Sequence, residues 1–123
     1  MLEIQKEVKN NIVILSLGAN KSGNTVSGDV ELDVDNNYLL IEAVEEELSK
    51  GKNKLILQLK NVSYVDSSGL GAIFDSYKQV VEKDGQLRIL NPNIDVKRVL
   101  DITKISKKID IFNNEEEALK SFN

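Results

Sequence analysis

From residue 34 to the C-terminus the apolar residues fall alternately at helical and at strand spacing, and this alternation limits the possible folds more than any single motif does. Leu40, Ile41, Val44 and Leu48 share one face of a helix running to about Ser49. Lys54 to Leu59 (KLILQL) is a short β-rich run, with Gly51 and Asn53 marking the turn before it. Leu70, Ile73, Phe74, Tyr77, Val80 and Val81 return to helical spacing, and Lys83 followed by Gly85 supplies a stop. Gln86 to Leu90 reads as a strand, Val96, Val99 and Leu100 as a helix, Ile109 and Ile111 as a strand, and Ala118, Leu119 and Phe122 as a closing helix. Strand and helix in turn imply an α/β protein whose sheet is covered by helices on one or more sides.

The first third adds strands. Glu3 to Val8 and Ile12 to Leu17 are strand-length runs, and Lys9-Asn10-Asn11 is suited to a hairpin turn between them. Residues 18–28, GANKSGNTVSG, are rich in Gly, Asn and Ser and have little to bury, so a mobile loop or an extended hairpin is expected there. Asp33 or Asp35 can cap the helix that ends near Ser49, with Glu42, Glu45, Glu46 and Glu47 turned largely outward. Asn91-Pro92 offers an N-cap and a first-turn proline to the later helix, and Asn114-Glu115 opens the last one. With no internal repeat and no linker-like stretch, residues 1–123 read as one domain.

Several chemistries are excluded by what the chain lacks. It has no cysteine and no histidine, which removes disulfides, thiolate nucleophiles, Ser-His-Asp arrangements and the common zinc sites. Asp33, Asp35 and Asn37 echo the start of a calcium loop, but Tyr38 stands where the turn glycine belongs and Val44 where the bidentate Glu belongs. No metal and no cofactor is expected. The glutamates of residues 42–47 lack an electrophile stabiliser, so they read as a solvated face and not a catalytic pair. Sixteen basic against twenty acidic residues, net −4, does not suit a protein that tracks phosphates along nucleic acid. No apolar run approaches the about 20 residues that span a bilayer, and the start MLEIQKEVKNN has neither a basic leader nor a signal core. A cytoplasmic protein that works through protein partners is expected.

One turn stands out against this background. Asn61 to Val80, NVSYVDSSGLGAIFDSYKQV, carries the chain from the central strand into the central helix through Asp66-Ser67-Ser68. Oxygen-bearing side chains at a helix entrance accept hydrogen bonds from the unpaired first-turn amides, and ordinary capping accounts for them. A phosphate on Ser67 would also be tolerated there, since amides and dipole favour an anion at a helix N-terminus, while a partner docked on the turn would meet new bulk and charge. Gly69-Leu70-Gly71 is too little for a nucleotide fingerprint, because Phe74 occupies the third glycine's place.

Val65-Asp66-Ser67-Ser68-Gly69-Leu70-Gly71, after Asn61-Val62-Ser63-Tyr64, resembles the phosphorylation-site signature of bacterial anti-sigma factor antagonists, which are single STAS domains. The resemblance runs from about Glu31 to Glu117 and includes Glu31-Leu32-Asp33-Val34 and Asp101-Ile102-Thr103. Two departures are visible: Val30 stands in place of a glycine, behind the polar 18–28 segment, and Lys104 in place of a common glycine. The resemblance implies the STAS fold, a mixed, mostly parallel sheet of four or five strands with helices chiefly on one face. It implies a switch and not an enzyme. In that family the serine after the aspartate is phosphorylated by the partner anti-sigma factor, itself a serine kinase, and that position is Ser67 here. The unmodified protein would bind the kinase and release a sigma factor, and a metal-dependent serine phosphatase would restore it. Asp33, Asp66, Ser67, Ser68, Gly69, Leu70 and Gly71 would form the docking surface of a monomer or weak dimer. The alternative is a STAS module never phosphorylated, serving as a scaffold in a larger signalling or membrane-lipid complex.

Overall fold

The computed structural model describes residues 1–122. In chain order the elements are β1 (Glu3–Lys9), β2 (Ile12–Gly18), β3 (Asn20–Ser22), β4 (Thr25–Ser27), β5 (Val30–Leu32), α1 (Asn37–Ser49), β6 (Lys54–Gln58) and β7 (Val62–Val65). Then come α2 (Ser67–Glu82), β8 (Gln86–Leu90), α3 (Ile94–Ile102), a 3-10 turn (Ile105–Lys107), β9 (Asp110–Phe112) and α4 (Glu115–Lys120).

The main sheet has five strands in the order β1-β2-β6-β8-β9. β1 pairs antiparallel with β2 through a turn whose Asn10 and Asn11 both have positive φ, the conformation a tight two-residue hairpin demands. The other three pairings are parallel, each reached through a helical crossover. This is the mixed, mostly parallel sheet that the family resemblance implies. Side chains alternate across it. Leu55, Leu57 and Leu59 join Val13, Leu15 and Leu17 in the large core beneath α1, α2 and α3, whereas Ile12, Ile14, Ile56 and Leu90 face the other way and meet Ala118 of α4. Three helices thus share one face and the short fourth covers part of the second.

A smaller parallel pair, β5 and β7, sits at the edge of the large core, with Val30, Leu32, Val62 and Val65 buried. Of the two forms expected for residues 18–28, the structure takes the extended hairpin, β3 paired with β4. It is tied to β1, since Val26 donates to Oε1 of Gln5 (3.0 Å) and Lys21 Nζ to the carbonyl of Ile4 (3.0 Å). Val26 is buried beneath it.

Several expected details fall differently. Neither Asp33 nor Asp35 caps α1; Asn36 is the N-cap, and its side chain makes no capping bond because Oδ1 is taken by the amide of Asp33 (2.9 Å) and Nδ2 by the carbonyl of Glu31 (2.8 Å). Asn93, not Asn91, caps α3, so Pro92 lies before the cap; Asn93 also donates to the carbonyls of Val62 and Ser63, pinning α3 to β7. Glu47 is not outward but buried, which it tolerates by pairing with Lys6 (3.2 Å) and Lys50 (3.8 Å). After α2 the residue with positive φ is Asp84; Gly85 is required instead because a Cβ there would collide with the carbonyl oxygen of Asn53. Among the described residues no helix is long and apolar enough to cross a membrane.

Candidate functional site

α2 begins where the chain leaves β7 at Val65, and the turn is built around the carboxylate of Asp66. Asp66 sits at the N-cap in an extended conformation and accepts the amide of Gly69 on Oδ1 (2.8 Å). Oδ2 accepts the amide of Val34 (3.1 Å), reaching across to the segment that leads into α1. The backbone closes the same joint, with the Asp66 amide donating to the carbonyl of Leu32 (3.2 Å) and the Leu70 amide to that of Asp66 (2.9 Å). Gly69 packs directly on Leu32, so closely that a Cβ would strike the Leu32 carbonyl. Gly69 therefore faces the interior, where its missing side chain lets helix and strand meet.

Ser67 is the first residue of α2 and is exposed; Ser68 follows, half-buried. With Gly69 and Leu70 bonded to Asp66, helix geometry leaves the amides of Ser67 and Ser68 without intrahelical partners. These amides and the dipole give the turn a local positive end in a chain of net charge −4.

Ser67 also forms one lip of an apolar groove of about 320 Å³, lined by Leu70, Gly71 and Phe74 of α2 and by Thr103 and Ile105 from the junction between α3 and the 3-10 turn. Gly71 is exposed, and a Cβ added there would meet nothing within 4 Å. The opposite wall is held by Asp101, which pairs with Lys97 (2.8 Å) and accepts a hydrogen bond from the Ser106 hydroxyl; these bonds, that to Lys97 first, keep its carboxyl below the usual range.

Of the residues singled out from sequence, Asp33, Asp66, Ser67 and Ser68 gather at the turn, Leu70 and Gly71 line the groove, and Gly69 lies beneath. Asp33 is half-buried, its Oδ1 accepting the amide of Asp35 (3.0 Å) and its carbonyl those of Asn36 and Asn37. Thr103 and Ile105 were not expected at the site, for their approach depends on how α3 ends. Phe74 was expected in the core and is instead 36 % exposed, stacked on Tyr77 with Lys78 over its ring. The face of α2 that is buried is Gly69, Ala72, Ile73, Ser76 and Val80, its small members allowing close approach to the sheet and Ser76 satisfying its hydroxyl on the carbonyl of Ala72 (2.8 Å).

Residues 3–118 match the model of the STAS domain. The chain is 37% identical over 91 residues to a candidate anti-sigma factor antagonist from Thermotoga neapolitana, covering 73% of this chain and 80% of that one. It is 31% identical over 118 residues to the anti-sigma F factor antagonist of Paenibacillus polymyxa, covering 96% and 92%. A crystal structure of a candidate anti-sigma factor antagonist from Thermotoga maritima superimposes with a TM-score of 0.80 at 28% identity, covering 97% of this chain and 93% of that one.

Proposed function

Given that the chain belongs to the STAS-domain family of anti-sigma factor antagonists, we propose that it binds an anti-sigma factor when Ser67 is unmodified and releases it when Ser67 is phosphorylated. The observation that carries this reading is the position of Ser67, exposed at the first residue of α2 and on the lip of an apolar groove. A hydroxyl so placed can be covered by a partner seated in the groove, and can be reached by that partner's own phosphoryl-transfer site. The partner is an anti-sigma factor that is also a serine kinase, and its capture frees the sigma factor for transcription in the cytoplasm. A metal-dependent serine phosphatase reverses the modification. The protein itself acts by binding, not by catalysis.

The energetics suffice. A phosphoserine brings about −1.5 to −2 charges. A thousandfold loss of affinity needs about 4 kcal/mol, within the cost of placing an unmatched dianion in an otherwise apolar contact. The fold accommodates the same group, since it projects from the N-terminal end of a sixteen-residue helix. Asp66 acts as the fastener of the turn and Gly71 keeps the groove floor low.

The test is phosphotransfer. Incubation with ATP and the anti-sigma factor kinases of the same cell, followed by mapping of the modified site, should place one phosphate on Ser67 and none on the Ser67→Ala protein. Absence of transfer from every such kinase would replace the switch with an unphosphorylated STAS module acting as a scaffold in a signalling or membrane-lipid complex.

A further inference from the structure

The second face of the sheet carries a feature that the switch does not use. In the register of β1, β2 and β6, Gln5 lies opposite Ser16 and Ser16 opposite Gln58, so three polar side chains form a row across three strands. They lie on the face away from α2, beside the apolar patch of Ile12, Ile14, Ile56 and Leu90 that α4 covers. The row forms the floor of a pocket of about 220 Å³, walled by Thr25 of the inserted hairpin, by Lys60 after β6, and by Glu7 and Glu115.

Gln58 is the informative residue. It is 92 % buried by its 8 % relative exposure, and its Oε1 accepts the amide of Lys60 (3.1 Å), which fixes the orientation of the side-chain amide. Its Nε2 has no hydrogen-bond partner among the described residues and is not sealed from solvent, so this donor opens onto the pocket. A strand position at the centre of a sheet would be better filled by an apolar residue if packing were its only role.

We propose that the pocket between the inserted hairpin, the Gln5–Ser16–Gln58 row and Glu115 binds a small zwitterion of amino-acid size. Charge balance selects that class. Among the described residues Lys60 has no ion-pair partner, whereas Glu7 and Glu115 lie on the far side with Lys9 between them (3.8 and 2.6 Å). Strand order separates the two ends, because Glu7 is level with Ile14 and Ile56, and Lys60 lies four residues beyond Ile56. A simple anion would face the two carboxylates, a simple cation would face Lys60, and an apolar molecule would leave Gln58 unpaired. A carboxylate directed to Lys60 and Gln58 Nε2, with an ammonium directed to Glu7, satisfies both ends. The hairpin of residues 18–28 acquires a role as the pocket's wall.

The experiment is titration of the isotope-labelled full chain, followed by amide NMR, with L-serine as probe and with acetate, methylamine and glucose as separate controls. Saturable shifts at Ser16, Thr25 and Gln58 with L-serine alone are expected. Gln58→Leu should weaken binding about tenfold, the usual effect of losing one hydrogen-bond donor. Lys60→Met, an exposed change that leaves the fold intact, should weaken it comparably. No saturable shift with L-serine, equal shifts with acetate or glucose, or unchanged binding in both variants would overturn the proposal.

Discussion

Asp66 and Val34 are 32 residues apart in sequence and joined by a single hydrogen bond, the Val34 amide donating to Oδ2 at 3.1 Å while Oδ1 caps α2 at Gly69. One carboxylate therefore fixes two segments relative to each other, the start of α2 with Ser67 and the Asp33–Asn37 turn. The arrangement makes a discriminating prediction. Asp66→Asn can keep the cap through its amide oxygen but cannot accept from Val34 with its NH2, and should lose about 1 kcal/mol; Asp66→Ala loses both and should cost about 2 kcal/mol. Urea unfolding measures the totals, and hydrogen exchange at the Val34 amide should accelerate in both proteins. Equal stability of the Asn and Ala variants would show that the Val34 bond contributes nothing.

Gly69 and Gly71 are two residues apart and have opposite reasons to be glycine. A side chain at 69 would strike the Leu32 carbonyl, whereas at 71 it would enter open space over the groove. Gly69→Ala should therefore destabilise by about 1–3 kcal/mol through overpacking. Gly71→Ala should stabilise the isolated protein by about 0.5–1 kcal/mol, since glycine within a helix is unfavourable relative to alanine. The same Gly71→Ala methyl lies in the groove beside Ser67 and should weaken binding of the proposed anti-sigma factor partner in a titration. If Gly71→Ala binds as well as the parent, the groove is not where the partner sits.

How far the sequence discloses this arrangement depends on whether the signal is local. Strand and helix order, the Asn10-Asn11 turn and the Asp66 cap are set by neighbouring residues and are legible from them. The buried face of α2 is not, because Gly69, Ala72 and Ser76 are too small to register as an apolar stripe, and the larger Leu70, Phe74, Tyr77 and Val81 suggest a different one. Close helix–sheet approach selects the small residues, while Phe74 and Val81 are left exposed and Leu70 and Tyr77 are only partly buried against the core. Likewise, the burial of Glu47 depends on Lys6 in a strand forty-one residues away, and the groove depends on Thr103 and Ile105 arriving from another helix.

Lys104 shows the reverse case, in which a departure visible in sequence has a conformational cost visible in structure. It has φ 66° and ψ 14°, left-handed backbone that a side chain adopts only with strain and that glycine adopts freely. Lys104→Gly should raise stability by about 0.5–1 kcal/mol, read as a higher urea midpoint with unchanged slope. A lower midpoint would mean that the lysine side chain contributes more than its backbone costs.

Asp101 supplies a pH dependence whose sign is fixed. Its folded-state pKa is lowered, first by the hydrogen bond from Lys97 and then by that from Ser106. Its contribution is therefore present above the ordinary carboxylate value and is lost as pH falls through the lowered one. Asp101→Asn should melt below the parent at neutral pH, with the gap closing under acid conditions. A gap that is unchanged at acid pH would show that the ionised carboxyl is not what holds the groove wall.

Ser67 permits the most direct separation of fold from function. Its side chain is exposed and makes no hydrogen bond among the described residues, while the N-terminal end of α2 favours negative charge by about 0.3–1 kcal/mol. Ser67→Asp should accordingly unfold within about 1 kcal/mol of the parent. If the proposed switch operates, binding to the anti-sigma factor kinase, measured by calorimetry, should fall at least tenfold, and more for a phosphoserine with its greater charge. Ser67→Ala removes the acceptor without adding charge, so it should bind the kinase persistently and resist release by ATP. Should Ser67→Asp prove unfolded, the helix entrance does not accept an anion and phosphorylation would act by disrupting the fold; should it bind as tightly as Ser67→Ala, charge at this position does not control the contact.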